Sequence, residues 1–156
     1  MASKSKVMAT AERLPDDGGL SELDDILGFH IRLAHGAVYR HFTETFSDVD
    51  LTQKQVSVLW LVSEYPGISQ AELGRRLQID RATMMAIVNR VQARGYLVRG
   101  ASKVDGRRQT LTLTPEGVAA LIKSREAIRA HEKWLKGRFT DAEVSTLINL
   151  LRAIHE

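Results

Sequence analysis

The sequence predicts a mainly α-helical fold with one small β-hairpin, and three features carry that expectation. Capping residues repeatedly stand ahead of apolar residues at helical spacing. Two short β-prone runs flank Asp105-Gly106, a strong signal for a hairpin turn. The first helix and the last two are long and amphipathic, and they flank a compact middle.

In chain order, residues 1–19 are small, polar and charged and end in Pro15-Asp16-Asp17-Gly18-Gly19, so a flexible arm is expected. Ser21 opens a long helix carrying Leu23, Ile26, Leu27, Ile31, Ala34, Val38 and Phe42 on one stripe. Thr52-Gln53-Lys54-Gln55 forms a capping box, followed by Val56, Leu59, Trp60 and Val62 and stopped by Pro66-Gly67. Ser69-Gln70-Ala71-Glu72 reads as a second box, leading to Leu73 and Leu77. Asp80 is the expected N-cap of a helix with Met84, Ile87, Val88 and Val91, and Gly95 suits its C-terminus. Residues 96–99 and 109–113 are the hairpin strands. Thr114-Pro115-Glu116 restarts a helix through Val118, Leu121, Ile122, Ile128, Trp134 and Leu135. Thr140-Asp141-Ala142-Glu143 caps the last one, with Val144, Leu147, Ile148, Leu151 and Ile154.

The chain therefore divides into an arm (1–19), an N-terminal helix (20–50), a lobe (51–114) and C-terminal helices (115–156). The outer helices cannot all bury their stripes on so small a lobe. An intertwined homodimer solves that problem, which makes the outer segments dimerisation helices; a monomeric bundle is the alternative.

Residues 69–95 have helix-turn-helix spacing, two capped helices joined by a turn of three or four residues. In that motif the second helix enters the DNA major groove, N-terminal end first. The turn lacks glycine, and many helical hairpins without a DNA role look similar, so charge sharpens the reading. The whole chain has a formal net charge of +3, but residues 69–108 carry nine bases and three acids, a local +6. A basic middle between acidic flanks suits double-stranded DNA, where counterion release drives binding. The hairpin tip adds Lys103, Arg107 and Arg108, and an arginine on so thin a ribbon suits a narrow minor groove. Asp105 is expected to pair with Arg107 or to cap the turn. A winged-helix adaptor that binds protein instead of DNA is the competing class.

Residues 51–117 resemble the multiple antibiotic resistance regulator (MarR) family. The resemblance is carried by Leu51-Thr52-Gln53-Lys54-Gln55, Ser69-Gln70-Ala71-Glu72-Leu73, Asp80-Arg81-Ala82-Thr83, Arg94-Gly95-Tyr96-Leu97-Val98-Arg99 and Asp105-Gly106-Arg107-Arg108, together with Leu111-Thr112-Leu113-Thr114-Pro115-Glu116-Gly117. It implies a winged helix-turn-helix, dimeric on a pseudo-palindromic operator, with repression relieved by a small ligand. By position it implies that Ser69 and Gln70 contact phosphate and that Arg81, Ala82, Thr83 and Met85 lie in the major groove. Asn89 and Arg90 would sit near phosphate, with Arg107 as the minor-groove finger. Ala82, Met85 and Ala86 offer bases few hydrogen bonds, so readout there would be through thymine methyls or DNA shape.

The first helix mixes aromatic and cationic residues among its apolar ones. Arg32, His35 and Tyr39, at spacings of three and four, together with Trp60 are candidate contacts for an aromatic carboxylate or its coenzyme A thioester; dimer-interface hydrogen bonding is their other use. His30, His35 and His41 are spaced by five and six and do not share a helix face, and with His131 they give no metal-site pattern. The absence of cysteine excludes disulfides, thiol sensing and thiolate zinc sites. No apolar run approaches the roughly 20 residues of a membrane span, and no apolar stretch follows Lys4 and Lys6, so a cytoplasmic protein is expected. Catalytic and phosphate-loop motifs are missing, so no enzyme and no cofactor are expected.

Overall fold

A computed structural model describes residues 21–104, 106 and 109–156. The chain divides into two compact units, Met1–Gly36 and Ala37–Glu156, each taken by itself below.

In the first unit, Ser21–Asp25 is a short 3-10 helix, and α1 (Leu27–Thr45) starts only after it. The continuous helix expected from Ser21 is thus interrupted. Asp24 and Asp25 favour a helix start over a helix interior, so the α-helix forms downstream of them. His30 Nε2 closes the corner on the Asp24 carbonyl at 2.7 Å. Leu27 and Leu33 stay exposed.

The second unit takes Phe42 from the end of α1 and Phe46 just past it; their rings stack at 3.9 Å and both are buried. Next come α2 (Gln53–Glu64), α3 (Gln70–Leu77), α4 (Arg81–Ala93), β1 (Leu97–Ala101), β2 (Gln109–Leu113), α5 (Pro115–Lys136) and α6 (Asp141–His155). The capping box at Thr52 is complete: its hydroxyl accepts from Gln55 N at 3.3 Å, and the Gln55 Oε1 accepts from Thr52 N at 3.0 Å. One core joins α2 through α5 and the hairpin, with Val58, Leu59, Leu73, Val88 and Val91 fully buried beside Met84, Leu97, Leu111 and Leu121.

The hairpin is antiparallel, with Leu97 opposite Leu113 and Ala101 opposite Gln109. Its base is tied to the α2–α3 loop, since Gly67 N donates to Leu111 O and Leu111 N donates to Ile68 O. Thr114 joins the hairpin to α5. Its hydroxyl donates to Gly95 O and accepts from Gly117 N at 3.0 Å. A Cβ on Gly117 would lie 1.8 Å from the Tyr96 carbonyl oxygen, so only glycine lets α5 start against the strand.

The end of α1 meets α5 through histidines. His41 Nδ1 and His131 Nδ1 are 2.8 Å apart, and His41 stacks on Trp134. The Thr45 hydroxyl gives its one proton to the His41 carbonyl, so toward His41 Nδ1, 3.2 Å away, it can only accept. His41 therefore carries its proton on Nδ1, and His131 accepts on its own.

The outer stripes remain open. α6 buries no residue, and Leu147, Ile148, Leu151 and Ile154 are exposed, as are Val118 and Ile122 on α5. No described helix is long and apolar enough to cross a membrane.

Candidate nucleic-acid interface

The α3–α4 turn is three residues long and holds no glycine. Gln78 takes the left-handed conformation (φ 52°) at the end of α3, and Asp80 caps α4 by accepting from Thr83 N at 2.9 Å. The glycine that makes the turn possible lies inside α3: a Cβ on Gly74 would meet the Ile79 carbonyl oxygen at 2.9 Å. The Asp80 carboxyl is held below its usual range, first by the Thr83 side chain and then by the backbone N–H of Thr83. A permanent negative charge at this N-terminus reinforces the cap.

Helical spacing splits α4 cleanly. Met84, Ile87, Val88 and Val91 face the core, while Arg81, Ala82, Met85, Asn89 and Arg90 are exposed and Thr83 is half-buried. A cleft of about 850 Å³ runs along this outer face. Of the residues expected to contact DNA, Ser69, Gln70, Arg81, Met85 and Asn89 line it, joined by Arg75, Arg99 and Gln109. Ser69 is buried as the N-cap of α3, accepting from Glu72 N at 3.2 Å. Lys103 is exposed on the hairpin. Asp105, Arg107 and Arg108, with the expected Asp105–Arg107 pairing, lie outside the described residues.

The basic residues are not equivalent. Arg75 and Arg76 both bond to Glu72, each at 2.6 Å, and those bonds hold the Glu72 carboxyl down at about 2. Arg94 donates to the Asp50 backbone oxygen, pairs with its carboxylate and lies over the Tyr96 ring. Arg81, Arg90 and Lys103 form no ion pair among the described residues. Within the described part of residues 69–108, the cations outside ion pairs thus lie on α4 and the hairpin. Arg99 was counted in the basic segment but not singled out; it sits between α3 and α4, and strand alternation alone does not tell that its side chain turns to the helices.

Of the expected effector contacts, Tyr39 and Trp60 line separate concavities. Tyr39 lines a concavity of about 380 Å³ with Phe42, Phe46, Gln55 and Arg94. Trp60 lines a smaller one with Leu61, Leu77 and Ile128; its Nε1 donates to Glu64, and the Arg125 guanidinium lies over its ring. In the first unit Arg32 lies over Phe29, and His35 is exposed. Among the described residues no group of three or more His, Cys, Asp or Glu is placed to hold a metal ion.

Residues 49–108 match the model of the MarR family. A protein of Thauera aromatica assigned to transcriptional regulation of the hcr operon is 34% identical over 130 residues, covering 83% of this chain and 78% of that protein. The chain belongs to the MarR family. Two solved structures of the transcriptional repressor CouR are similar to it. The one bound to a 23-mer DNA duplex has a TM-score of 0.83 at 30% identity and covers 88% of this chain and 98% of that one. The one bound to p-coumaroyl-CoA has a TM-score of 0.79 at 29% identity and covers 88% and 97%. This MarR-family chain is therefore a winged-helix transcriptional regulator and not an enzyme, with the hairpin as its wing.

Proposed function

We propose that this regulator is a homodimeric repressor that binds a pseudo-palindromic operator and is released by a small anionic effector. The observation that carries the reading is the outer face of α4: Arg81, which lines an open cleft, and the exposed Arg90 form no ion pair among the described residues, on a helix whose other face is locked in the core. That is what a recognition helix needs, cations facing outward on a rigid support. Ser69, Gln70, Asn89 and Arg90 are assigned to phosphate, Arg81, Ala82, Thr83 and Met85 to the major groove, and Lys103, Asp105, Arg107 and Arg108 to the wing. The open stripes of α5 and α6 support the homodimer, since each is an apolar face left exposed among the described residues. Two recognition helices about 34 Å apart would then reach successive major grooves.

The effector is proposed to be an aromatic acid or its coenzyme A thioester, in keeping with the ligand of the CouR structure. Of the expected contacts Arg32, His35, Tyr39 and Trp60, Tyr39 is the one whose cleft has aromatic walls, Phe42 and Phe46, with Arg94 on the rim paired to Asp50. An effector acts only through unequal affinity for two dimer shapes, so effector and DNA weaken each other by the same factor.

The test is selection of bound fragments from the source genome, followed by anisotropy titration of the selected duplex across salt. Affinity must fall steeply as salt rises, and aromatic acids or their thioesters must compete with the duplex. Absence of duplex binding at low salt favours the adaptor. Effector and duplex bound together at full affinity would refute the release mechanism.

A further inference from the structure

Arg99 stands in β1, yet its guanidinium is spent on the two helices. Nη2 donates to Asn89 Oδ1 at 2.7 Å and to Gln70 Oε1 at 3.4 Å, and Nη1 donates to Gln92 Oε1. Gln70 opens α3, while Asn89 and Gln92 are one turn apart on α4, so a single side chain joins three elements of the interface. A guanidinium only donates, and an amide has one oxygen that accepts and one NH2 that donates. The reverse orientation of any of the three amides would set donor against donor. Each must therefore turn its oxygen to Arg99 and its NH2 away from it. Asn89 and Gln92 are exposed, and Gln70 and Asn89 line the cleft along α4.

We propose that Arg99 is a positioning residue that orients the amides of Gln70, Asn89 and Gln92 so that their NH2 groups face outward as donors to the acceptor-only oxygens of a DNA phosphate. The inference rests on the duplex-binding reading above. Arg99 is then a brace in the wall of the cleft, its guanidinium engaged by protein amides. A lysine cannot replace it, since a point ammonium on a flexible stem does not hold three acceptors in a fork.

The experiment measures duplex affinity of the full chain across salt, together with its melting temperature. Arg99→Lys is expected to lower affinity about tenfold at fixed salt, a loss of about 1.4 kcal/mol. The slope of affinity against salt should hardly change, because neutral amide donors release no counterions. Asn89→Asp keeps an oxygen for Arg99 and replaces the NH2 donor with a charged acceptor oxygen. It should hold or raise the melting temperature while lowering affinity well beyond Gln109→Glu, which adds the same charge to the same cleft without touching Arg99. Asn89→Asp binding as well as Gln109→Glu would overturn the proposal, as would Arg99→Lys binding like the unaltered chain. An unaltered chain that binds no duplex overturns the DNA reading first, and is distinguishable because no variant is then needed.

Discussion

α4 and α6 start alike and end differently. Each opens on a capped turn, at Asp80 and at Thr140, and each carries apolar residues at helical spacing. α4 buries Met84, Ile87, Val88 and Val91, whereas α6 buries nothing. An apolar stripe requires a partner but does not say where the partner is. α2 and the hairpin supply one for α4; within the described residues of its own unit the stripe of α6 is left exposed. α4 is thus held by the core of its own chain, whereas the stripe of α6 is open to a second molecule, as the proposed homodimer requires.

The largest effect should separate those two helices' environments. Leu73→Ala, at a fully buried site behind the recognition helix, is expected to cost about 2–5 kcal/mol in denaturant unfolding. Leu151→Asp should leave the circular dichroism of the lobe intact while shifting sedimentation from dimer to monomer at micromolar concentration. A dimer that survives Leu151→Asp would remove α6 from the interface.

Next comes the joint between lobe and α5. Gly117→Ala forces a methyl group onto the Tyr96 carbonyl and should cost about 1–3 kcal/mol or more, read as a lowered melting temperature. The same change at Gly28, where an added Cβ meets nothing within 4 Å, should leave stability unchanged or slightly raised.

A smaller effect should divide the cations. Arg81→Ala, which removes a cation with no ion pair among the described residues, is expected to weaken duplex binding by about 1–3 kcal/mol and to flatten its salt dependence. Arg76→Ala removes a cation already engaged with Glu72 and Tyr65 and should change binding much less. Equal losses would mean that ion pairing inside the protein does not decide which cations serve DNA.

The smallest effect concerns pH. Burial, and then the neighbouring His41, push the His131 imidazole below its ordinary 6.5, with Glu132 opposing weakly. The unfolded chain therefore takes up the proton more readily than the folded one. Its contribution to stability is complete above about pH 6.5 and is lost as pH falls through the lower folded value. The melting temperature should drop between roughly pH 7 and pH 5, and His131→Gln should shrink that drop. An identical drop in His131→Gln would place the sensitivity elsewhere.

Much of the lobe could be read from residues a few positions apart. The caps at Thr52, Asp80 and Thr140, the hairpin and the outer face of α4 depend on such short spacings, and the structure bears them out. The start of α1 was misread because an apolar stripe beginning at Leu23 outweighed Asp24-Asp25, which interrupt the α-helix. The role of Arg99 was not visible, since its partners lie 7, 10 and 29 residues away. The grouping of Tyr39 with Trp60 did not become one cleft, because spacing along α1 carries no information about which way α2 turns its tryptophan.

Backbone hydrogen bonding and side-chain entropy act over one turn of chain, so where helices begin, where the chain reverses and which face of each helix is apolar were all written in the order of residues. Three-dimensional packing settled the rest. It chose which arginines are consumed by Glu72 and Asp50 and which stay free, it set two histidines ninety positions apart in hydrogen-bonding contact, and it left the α6 stripe uncovered. Those outcomes depend on distances between remote segments, which arise only when the core closes.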